Sequence, residues 1–284
     1  MGARGEGGAT GSSGALEACP GCARLNFVEY PKAHPWTLKK LEFLRKYLPA
    51  FIKATRKARH CYYVDGFAGP GYNQKPDGER VEGSPLLAAQ YPFTGLFFVE
   101  RDRESCLELE KNLRTVCPNL DRILIYSGDF NELVDDILEH IPEKAPTLFF
   151  LDPFGLELRW ATVEKIAKRE KADVFILISS AGASRIQKNH PQVLDSFFGD
   201  GTWRDIRAKV GQSWFEAFTE AYRDRMRKLG LEGTNLVTVA KNTKNAPMHV
   251  LAFHAKNEIA LKIANSVFNS IETSRTQPPL PFGE

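Results

Sequence analysis

The fold is decided by Val64-Asp65-Gly66-Phe67-Ala68-Gly69-Pro70-Gly71, a segment in which an apolar run ends in a carboxylate and passes into a glycine-rich turn. Its glycines let the backbone approach a ligand closely or adopt positive φ angles. The turn lacks the third glycine of a dinucleotide fingerprint, because Gln74 stands there, and no Lys-Ser/Thr of a Walker loop follows. A carboxylate at this position attracts a cation and accepts hydrogen bonds from hydroxyl groups. The segment therefore predicts a binding turn for a cationic or hydroxyl-rich ligand.

Short β-branched or aromatic runs alternate with helical periodicity on both sides of this segment. Such alternation is typical of a parallel sheet covered by helices, so it predicts one doubly wound α/β unit. The predicted strands are residues 61–64, 96–99, 122–126, 148–151 and 174–178.

The last third of the chain predicts a change of strand direction. A charged and mostly helical insertion covers about residues 183–230, and two strands, 235–239 and 248–253, follow it. The turn-rich connection between them is too short for a parallel crossover, which takes about a dozen residues. We therefore expect a mostly parallel sheet with one antiparallel strand near the C-terminus, plus the helical insertion.

The composition is that of an ordinary soluble globular protein. The chain has 284 residues, of which 43% are hydrophobic and 26% charged, and this excludes disordered, fibrous and disulfide-framework classes. No run approaches the roughly 20 apolar residues of a membrane helix, so no membrane span is predicted. Five thinly spread cysteines fit a reducing compartment, and the predicted location is cytoplasmic.

The two ends of the chain differ in composition from the rest. Residues 1–24 contain seven glycines and are predicted to be a disordered tail, and residues 273–284 are predicted to be a proline-rich tail. Residues 25–272 then form a single domain with the insertion inside it. Cys19 and Cys22 have no second CxxC or spaced His pair to complete four zinc ligands, so no metal site is predicted.

Two more carboxylates follow predicted strands. Glu100 ends the second strand, where an acidic residue can accept both ribose hydroxyls of a nucleoside. Asp129 follows the third strand and could accept from an adenine amine, or it could be the N-cap of a helix beginning near Asn131. Sheets of this type bind ligands outside the carboxyl ends of their strands. We therefore expect Asp65, Glu100 and Asp129 to share one rim.

The fourth predicted strand leads into Asp152-Pro153-Phe154-Gly155. Asp152 and the carbonyl of Pro153 can accept the two N–H groups of an exocyclic amine, and Phe154 offers a ring face on which a base can stack. As an alternative, Asp-Pro at a strand end is a common structural turn. Because it follows three acids at neighbouring strand ends, we interpret Asp152, Pro153 and Phe154 as the catalytic residues.

Basic residues are concentrated on the insertion, although the formal net charge is only +3. Residues 203–228 hold seven basic and four acidic side chains. Arg223, Arg225 and Arg227 are our candidates for contacts with substrate phosphates. A second cluster at residues 53–59 lies near the end of a helix predicted over about 37–58. Solvated faces of ordinary helices look the same, so that alternative stays open for both clusters.

Together these residues resemble the class I S-adenosylmethionine-dependent methyltransferases. Residues 65–71 look like their donor-binding first motif, and Glu100 and Asp129 match their ribose and adenine acids. The loop 152–155 resembles the fourth motif of enzymes that methylate exocyclic nitrogens of nucleobases. Its Asp-Pro-Phe-Gly form is similar to that of tRNA guanine-N2 methyltransferases, whereas adenine and cytosine amino-methyltransferases usually have two prolines.

The N-terminal helix, Gly83-Ser84-Pro85-Leu86 and the closing strand with Lys256 extend the resemblance to about residues 27–270, which look like the bacterial three-Cys-motif partner (TcmP) family. The resemblance implies S-adenosyl-L-methionine as the cofactor, a Rossmann-like methyltransferase sheet and, in some members, a partner protein. It does not fix the acceptor.

The function that this resemblance favours is methylation of an exocyclic base nitrogen of RNA or DNA. One alternative is a small-molecule methyltransferase whose insertion acts as a lid. Another is a non-catalytic partner subunit that binds the donor. Near the predicted site, Ser84 is expected to be a helix N-cap, and Lys32 and His34 could lie over the donor or simply pack locally.

Overall fold

The structure, a computed structural model, describes residues 28–179, 189–234, 237–241 and 247–273, together with 183, 186 and 187. The predicted tails lie outside the described residues, apart from Thr273 at the start of the second, and so do Cys19 and Cys22.

Strands and helices alternate along the described chain. The strands are β1 Tyr62–Asp65, β2 Tyr72–Gln74, β3 Arg80–Glu82, β4 Gly95–Glu100, β5 Ile123–Ser127, β6 Thr147–Leu151, β7 Ala172–Ser179, β8 Glu232–Gly233, β9 Val237–Lys241 and β10 Pro247–Ala255. The helices are α1 Pro35–Thr55, α2 Ser84–Ala89, α3 Arg103–Val116, α4 Phe130–Glu139, α5 Trp160–Ala167, α6 Pro191–Phe198, α7 Trp214–Lys228 and α8 Glu258–Thr273, with a 3-10 turn at Gly201–Asp205.

The main sheet has the strand order β5-β4-β1-β6-β7-β10-β8, and β9 also pairs with β10. All pairs from β5 to β7 are parallel, whereas β10 runs antiparallel to β7. The predicted doubly wound, mostly parallel sheet with an antiparallel strand near the C-terminus is therefore confirmed. Its first strand, β1, lies in the interior of the sheet, with β4 on one side and β6 on the other.

Three features differ from the sequence prediction. The hairpin of β2 and β3 was not predicted, because its strands have three residues each and too few apolar positions to show alternation. Helix α1 begins at Pro35, since a proline at the first helical position lacks only an N–H that would be unpaired there. Strand β9 begins at Val237, and Asn235 and Leu236 of the predicted strand lie outside the described residues.

Helices cover both faces of the sheet, and successive side chains of each strand serve opposite faces. In β4, Phe97 and Val99 pack into a core with residues of α4, α5, α6 and α7, whereas Leu96 and Phe98 pack into a second core with residues of α1, α2, α3 and α8. Each side chain of this kind contributes about 1.5–3 kcal/mol when it is fully buried. The two cores hold the strand ends in fixed positions.

The described part of the insertion is helical, as predicted, and packs into the first of these two cores, with α4 and α5. Trp203 is buried, and its ring meets that of Trp214 edge to face at 6.4 Å. Helix α7 begins with a capping box in which Ser213 and Glu216 each bond the backbone of the other. Among the described residues, no helix is long and apolar enough to cross a bilayer.

A buried carboxylate lies far from the strand ends discussed below. Asp173, near the start of β7, accepts a hydrogen bond of 2.7 Å from the hydroxyl of Tyr47 on α1. Burial raises the pKa of Asp173 to about 7, and the Tyr47 hydroxyl offsets only part of this rise. An unfolded Asp has a pKa near 3.9. The folded state therefore binds the proton more tightly, and this contribution to stability falls as pH rises from about 4 to 7.

Replacing Asp173 with Asn should remove that loss of stability. The difference in stability between Asp173→Asn and the unchanged protein should shift in favour of Asp173→Asn between pH 5 and pH 8. Its free energy of unfolding, relative to that of the unchanged protein, should be larger at pH 8 than at pH 5 by about 1 kcal/mol or more. Urea denaturation at both pH values measures it. As a control, Tyr47→Phe leaves the carboxylate without its donor and should cost more stability at pH 8 than at pH 5. A relative stability of Asp173→Asn that does not change with pH would contradict the assignment.

Candidate functional site

The carboxyl ends of β1, β6 and β7 border an open pocket of about 620 Å³. Its walls come from the glycine-rich turn after β1, the loop after β6, the start of α1, the β2 strand, the carboxyl end of β7 and the start of β10. A segment before α1, residues 28–34, which we call the N-terminal strap, closes one side. The volume is within the range of small-molecule and cofactor sites, about 300–1,000 Å³.

The glycine-rich turn needs its glycines for space and for conformation. A Cβ on Gly66 would lie 2.8 Å from the ring of Phe130 and 3.0 Å from Leu151, so no side chain fits there. Gly69 and Gly71 have φ angles of +63° and +94°, which residues with a side chain rarely adopt. Phe67, Ala68, Gly69 and Gly71 all line the pocket. The turn therefore presents its backbone to the pocket.

Asp65 lies buried beneath this turn and supports it. Its carboxylate accepts from the amide of Phe67 at 3.2 Å and from the hydroxyl of Tyr63 at 3.3 Å, and it also accepts from the hydroxyl of Ser84. Burial raises the pKa of Asp65 to about 7, although the bonds from Ser84 and Phe67 act in the opposite direction.

The role predicted for Ser84 needs a correction. Gly83 is the N-cap of α2, and Ser84 is its first helical residue. Since the Ser84 hydroxyl bonds to Asp65 and lines the pocket, Ser84 connects α2 to the site. Its sequence position next to Pro85 suggested capping because Pro also favours the first helical turn.

Glu100, at the end of β4, braces the turn from the side away from the pocket. One carboxylate oxygen accepts from the amide of Gly69 at 2.8 Å, and the other accepts from the amide of Asp102, also at 2.8 Å. The carboxylate is only partly buried, so it keeps lone pairs for a ligand on the β4 side of the turn.

Asp129 is the N-cap of α4, which was the alternative left open by the sequence. One oxygen accepts from the amide of Asn131 at 2.9 Å, and the other pairs with Arg101 at 2.9 Å and Arg159 at 3.7 Å. Burial acts to raise the pKa of Asp129, but the bonds from Asn131 and the two arginines outweigh it and lower that pKa. Glu100 and Asp129 thus lie on the β4 and β5 side, and the pocket lies on the β6 side.

In the loop after β6, all four residues of the segment 152–155 line the pocket. The Asp152 carboxylate forms an ion pair with Lys40 of α1. The carbonyl of Pro153 accepts from the amide of Gly155 at 2.8 Å, so one of its two lone pairs remains available. The ring of Phe154 is 87% exposed. An apolar ring this exposed is unusual and offers a face for a planar ligand.

Three aromatic rings form a continuous stack along another wall. Trp36 lies between His34 and His249, with ring centroids 4.2 Å and 4.9 Å away. Burial lowers the pKa of His249, so its ring is neutral at neutral pH. His34 and Lys32 both line the pocket, and His34 also packs locally on Trp36, so both possibilities named for His34 describe its position.

The N-terminal strap is held in place by β2 and α3. Amide-to-carbonyl bonds join Ala33 and Gln74 at 2.7 Å, and Gln74 and Pro31 at 2.8 Å. The hydroxyl of Tyr30 donates to Glu108 at 2.5 Å. The unpredicted hairpin therefore has a role: it carries the strap that closes the pocket.

The three arginines of α7 lie apart from the pocket, none of them being in its lining. Arg225 pairs with Asp200 at 2.9 Å and lies over the rings of Trp160 and Phe198. Arg227 pairs with Asp224 at 2.8 Å and with Glu232 at 3.1 Å.

Arg223 packs its stem close to Gly233 of β8. The second basic cluster, residues 53–59, begins in the last turn of α1 and leads towards the start of β1. It therefore lies at the end of the sheet opposite the pocket. The structure thus brings Asp65 and Glu100 onto the glycine-rich turn and Asp152 into the pocket beside it, but leaves these basic residues elsewhere.

Three residues of the site were not identified from the sequence: Lys40, Trp36 and His249. The first two lie four positions apart on α1 and therefore on one helix face. That spacing was available in the sequence, but nothing in it shows that this face meets the loop after β6.

Among the described residues, no group of three or more His, Cys, Asp or Glu is placed to hold a metal ion.

Several solved structures are similar to this chain. Protein LPL1258 of Legionella pneumophila is 12% identical with a TM-score of 0.51, and the match covers 80% of this chain and 92% of that one. Trm1 of Pyrococcus horikoshii, solved with S-adenosyl-L-methionine, is 10% identical with a TM-score of 0.47, covering 84% and 61%. An S-adenosylmethionine-dependent methyltransferase of Agrobacterium tumefaciens is 14% identical with a TM-score of 0.45, covering 79% and 63%.

The chain shares its mostly parallel α/β fold with protein LPL1258, at a TM-score of 0.51. At identities of 10–14% the likeness concerns the fold alone. No protein-family model matches the sequence, and no curated protein matches it. The resemblance to the TcmP family stays a prediction.

Proposed function

We propose that this chain is an S-adenosylmethionine-dependent methyltransferase that modifies an exocyclic base nitrogen of RNA or DNA. The observation that carries the proposal is the position of the loop 152–155, which lines the same pocket as the glycine-rich turn. A donor held by the turn and an acceptor held by the loop would then meet in one pocket. The TcmP relationship, a protein partner and a cytoplasmic location are part of this proposal and rest on the sequence.

The residues around the turn fit the proposed cofactor. Nothing lies within 4 Å of the position where Gly69 would carry a Cβ, so a ligand can contact the backbone there. Glu100 would accept hydrogen bonds from the ribose hydroxyls, and Asp129 would accept from the adenine amine on the β5 side. Asp65 would hold the turn from beneath. When bound, the cofactor supplies a methyl group on a sulfonium for in-line transfer.

The loop residues fit the acceptor. Asp152 and the free lone pair of the Pro153 carbonyl would accept the two N–H groups of an exocyclic amine and orient its nitrogen towards the pocket. Phe154 would stack on the base, and such stacking contributes about 1–3 kcal/mol. The amine loses one proton when the new N–C bond forms. The Asp152 carboxylate is placed to accept that proton, so no other strong base is required.

One observation favours the alternative of a small-molecule acceptor. Arg225 and Arg227 are already paired with acidic side chains, so they are less available for phosphates than the sequence suggested. We retain them, with Arg223, as proposed substrate contacts because surface ion pairs contribute only about 0–1 kcal/mol and can exchange for a phosphate.

Glu100→Ala should weaken binding of S-adenosylmethionine or its demethylated product about ten- to hundredfold. Loss of a charged hydrogen bond costs about 1.5–3 kcal/mol, and ten- to hundredfold corresponds to about 1.4–2.7 kcal/mol. Isothermal titration calorimetry measures the affinity. Glu110→Ala, on the exposed face of α3, is the matched control and should leave it unchanged. Equal affinities of Glu100→Ala and the unchanged protein would refute the donor site.

Asp152 should matter for turnover and not for donor binding. Asp152→Asn keeps the size of the side chain, so donor affinity should stay within a few fold while kcat falls by about 10²-fold or more. Phe154→Ala should act chiefly on the KM for the acceptor, since its ring is exposed and makes little contribution to folding. Steady-state kinetics with calorimetry separates these effects. Methyl transfer at the original rate in Asp152→Asn would show that the catalytic loop is elsewhere.

The salt dependence of nucleic-acid binding tests the arginines of α7. Each lost phosphate contact should reduce the slope of log affinity against log salt by about 0.7–0.9. Arg225→Gln with Arg227→Gln should therefore flatten the slope, with donor affinity unchanged. Lys53→Gln with Lys57→Gln, at the opposite end of the sheet, is the control. Identical slopes in all three proteins would favour the small-molecule alternative.

A further inference from the structure

A paired cation and anion lie on the acceptor side of the pocket. Lys40 and Asp152 form an ion pair although they are 112 positions apart in sequence, and their side chains are only 13% and 17% exposed. Both residues line the pocket. The pair thus presents N–H donors and carboxylate oxygens side by side at one place in the wall.

The charges of this pair restrict the acceptor. A lone carboxylate would attract a protonated aliphatic amine, such as a lysine side chain or a polyamine. With the Lys40 ammonium beside it, the pair is neutral and the ammonium repels a second cation. A neutral methyl acceptor can satisfy both members of the ion pair at once if it has a hydrogen-bond donor and a hydrogen-bond acceptor on the same edge.

Nucleobases with an amino group have such an edge. Adenine carries an N6 amine next to the N1 acceptor, and cytosine carries an N4 amine next to N3. Guanine carries an N2 amine and an N1 proton on the same edge as the O6 acceptor. Uracil and thymine have no exocyclic amine, and aliphatic amines have no neighbouring acceptor atom.

The other walls suit a planar, uncharged ring. The stack of His34, Trp36 and His249 and the exposed ring of Phe154 line the same pocket as the pair. Aromatic faces bind any base by stacking, without selecting among bases. The selective contacts must therefore come from the polar groups of the wall.

Resting on the proposed function, we propose that Lys40 is a specificity-determining residue for the acceptor base. Asp152 accepts from the exocyclic amine, and the Lys40 ammonium donates to the ring nitrogen or carbonyl oxygen on the same edge. The two side chains thereby recognise an amino nucleobase as the substrate class and exclude aliphatic amines.

The test combines a substitution in the protein with one in the base. The unchanged protein is first assayed for methyl transfer to poly(A), poly(C), poly(G) and spermidine, which identifies the base. Oligonucleotides are then compared in which that base is replaced by an analogue whose hydrogen-bond acceptor on this edge is removed or weakened. These analogues are 1-deazaadenine, 3-deazacytosine and, for guanine, 6-thioguanine, which keeps the N1 proton and the N2 amine but has a weakly accepting sulfur in place of O6. Both substrates are measured with the unchanged protein, Lys40→Met and Lys53→Met, the last being the same change on an exposed part of α1.

If Lys40 donates to the ring nitrogen or carbonyl oxygen beside the amine, replacing the normal base by the analogue lowers kcat/KM at least tenfold. This loss is seen in the unchanged protein and in Lys53→Met. Lys40→Met lowers kcat/KM for the normal base by a similar factor, and the analogue then causes less than a twofold further loss. Binding of S-adenosylhomocysteine stays within threefold in every variant, which shows that the fold and donor site are intact.

A purely structural ion pair gives a different result. The analogue then causes the same loss in Lys40→Met as in the unchanged protein, and this overturns the proposal while leaving the proposed function standing. Failure of the proposed function is seen earlier, in the unchanged protein. It shows as methyl transfer to spermidine in preference to the polynucleotides, or as no transfer to any of these acceptors despite donor binding.

Discussion

The site depends on one constraint of topology, the position of β1 between β4 and β6. From β1 the chain continues towards β4 on one side of the sheet, and from β6 it continues to β7 on the other, so the loops at the carboxyl ends of β1 and β6 separate and open a crevice there. The glycine-rich turn occupies this crevice. Register fixes the neighbours, since Asp65 lies opposite Phe98 of β4 and Phe150 of β6. Glu100 comes two residues after Phe98 and Asp152 two residues after Phe150, on either side of the turn.

This division gives the two sides of the turn different chemistry. On the β4 and β5 side, Glu100 accepts from a backbone amide and Asp129 pairs with an arginine. Polar groups of a nucleoside suit this environment. Aromatic rings and one neutral ion pair surround the β6 side. Beneath the turn, burial of Asp65 is tolerated because Ser84, Tyr63 and the Phe67 amide all hydrogen-bond to it. The turn is thus rigid where two ligands would meet.

The sequence predicted what depends on local pattern and on strand ends. Apolar runs identified the five parallel strands, and the rim acids followed because parallel strands end at one edge. Contacts between distant segments left no local signal: Lys40 meets Asp152, and Trp36 meets His249, only after α1 and β10 pack on the sheet. For the same reason Arg225 was expected to be available for phosphate, although Asp200 pairs with it. The hairpin of β2 and β3 was too short to show periodicity.

The most direct test of the account is the fate of a labelled methyl group. The protein is incubated with methyl-labelled S-adenosylmethionine and with total RNA, DNA and protein from cells, and each fraction is counted and then digested to nucleosides or amino acids. The account predicts label in RNA or DNA, on the exocyclic nitrogen of an amino nucleobase. Label confined to protein, or no label in any fraction although the donor binds, would contradict it.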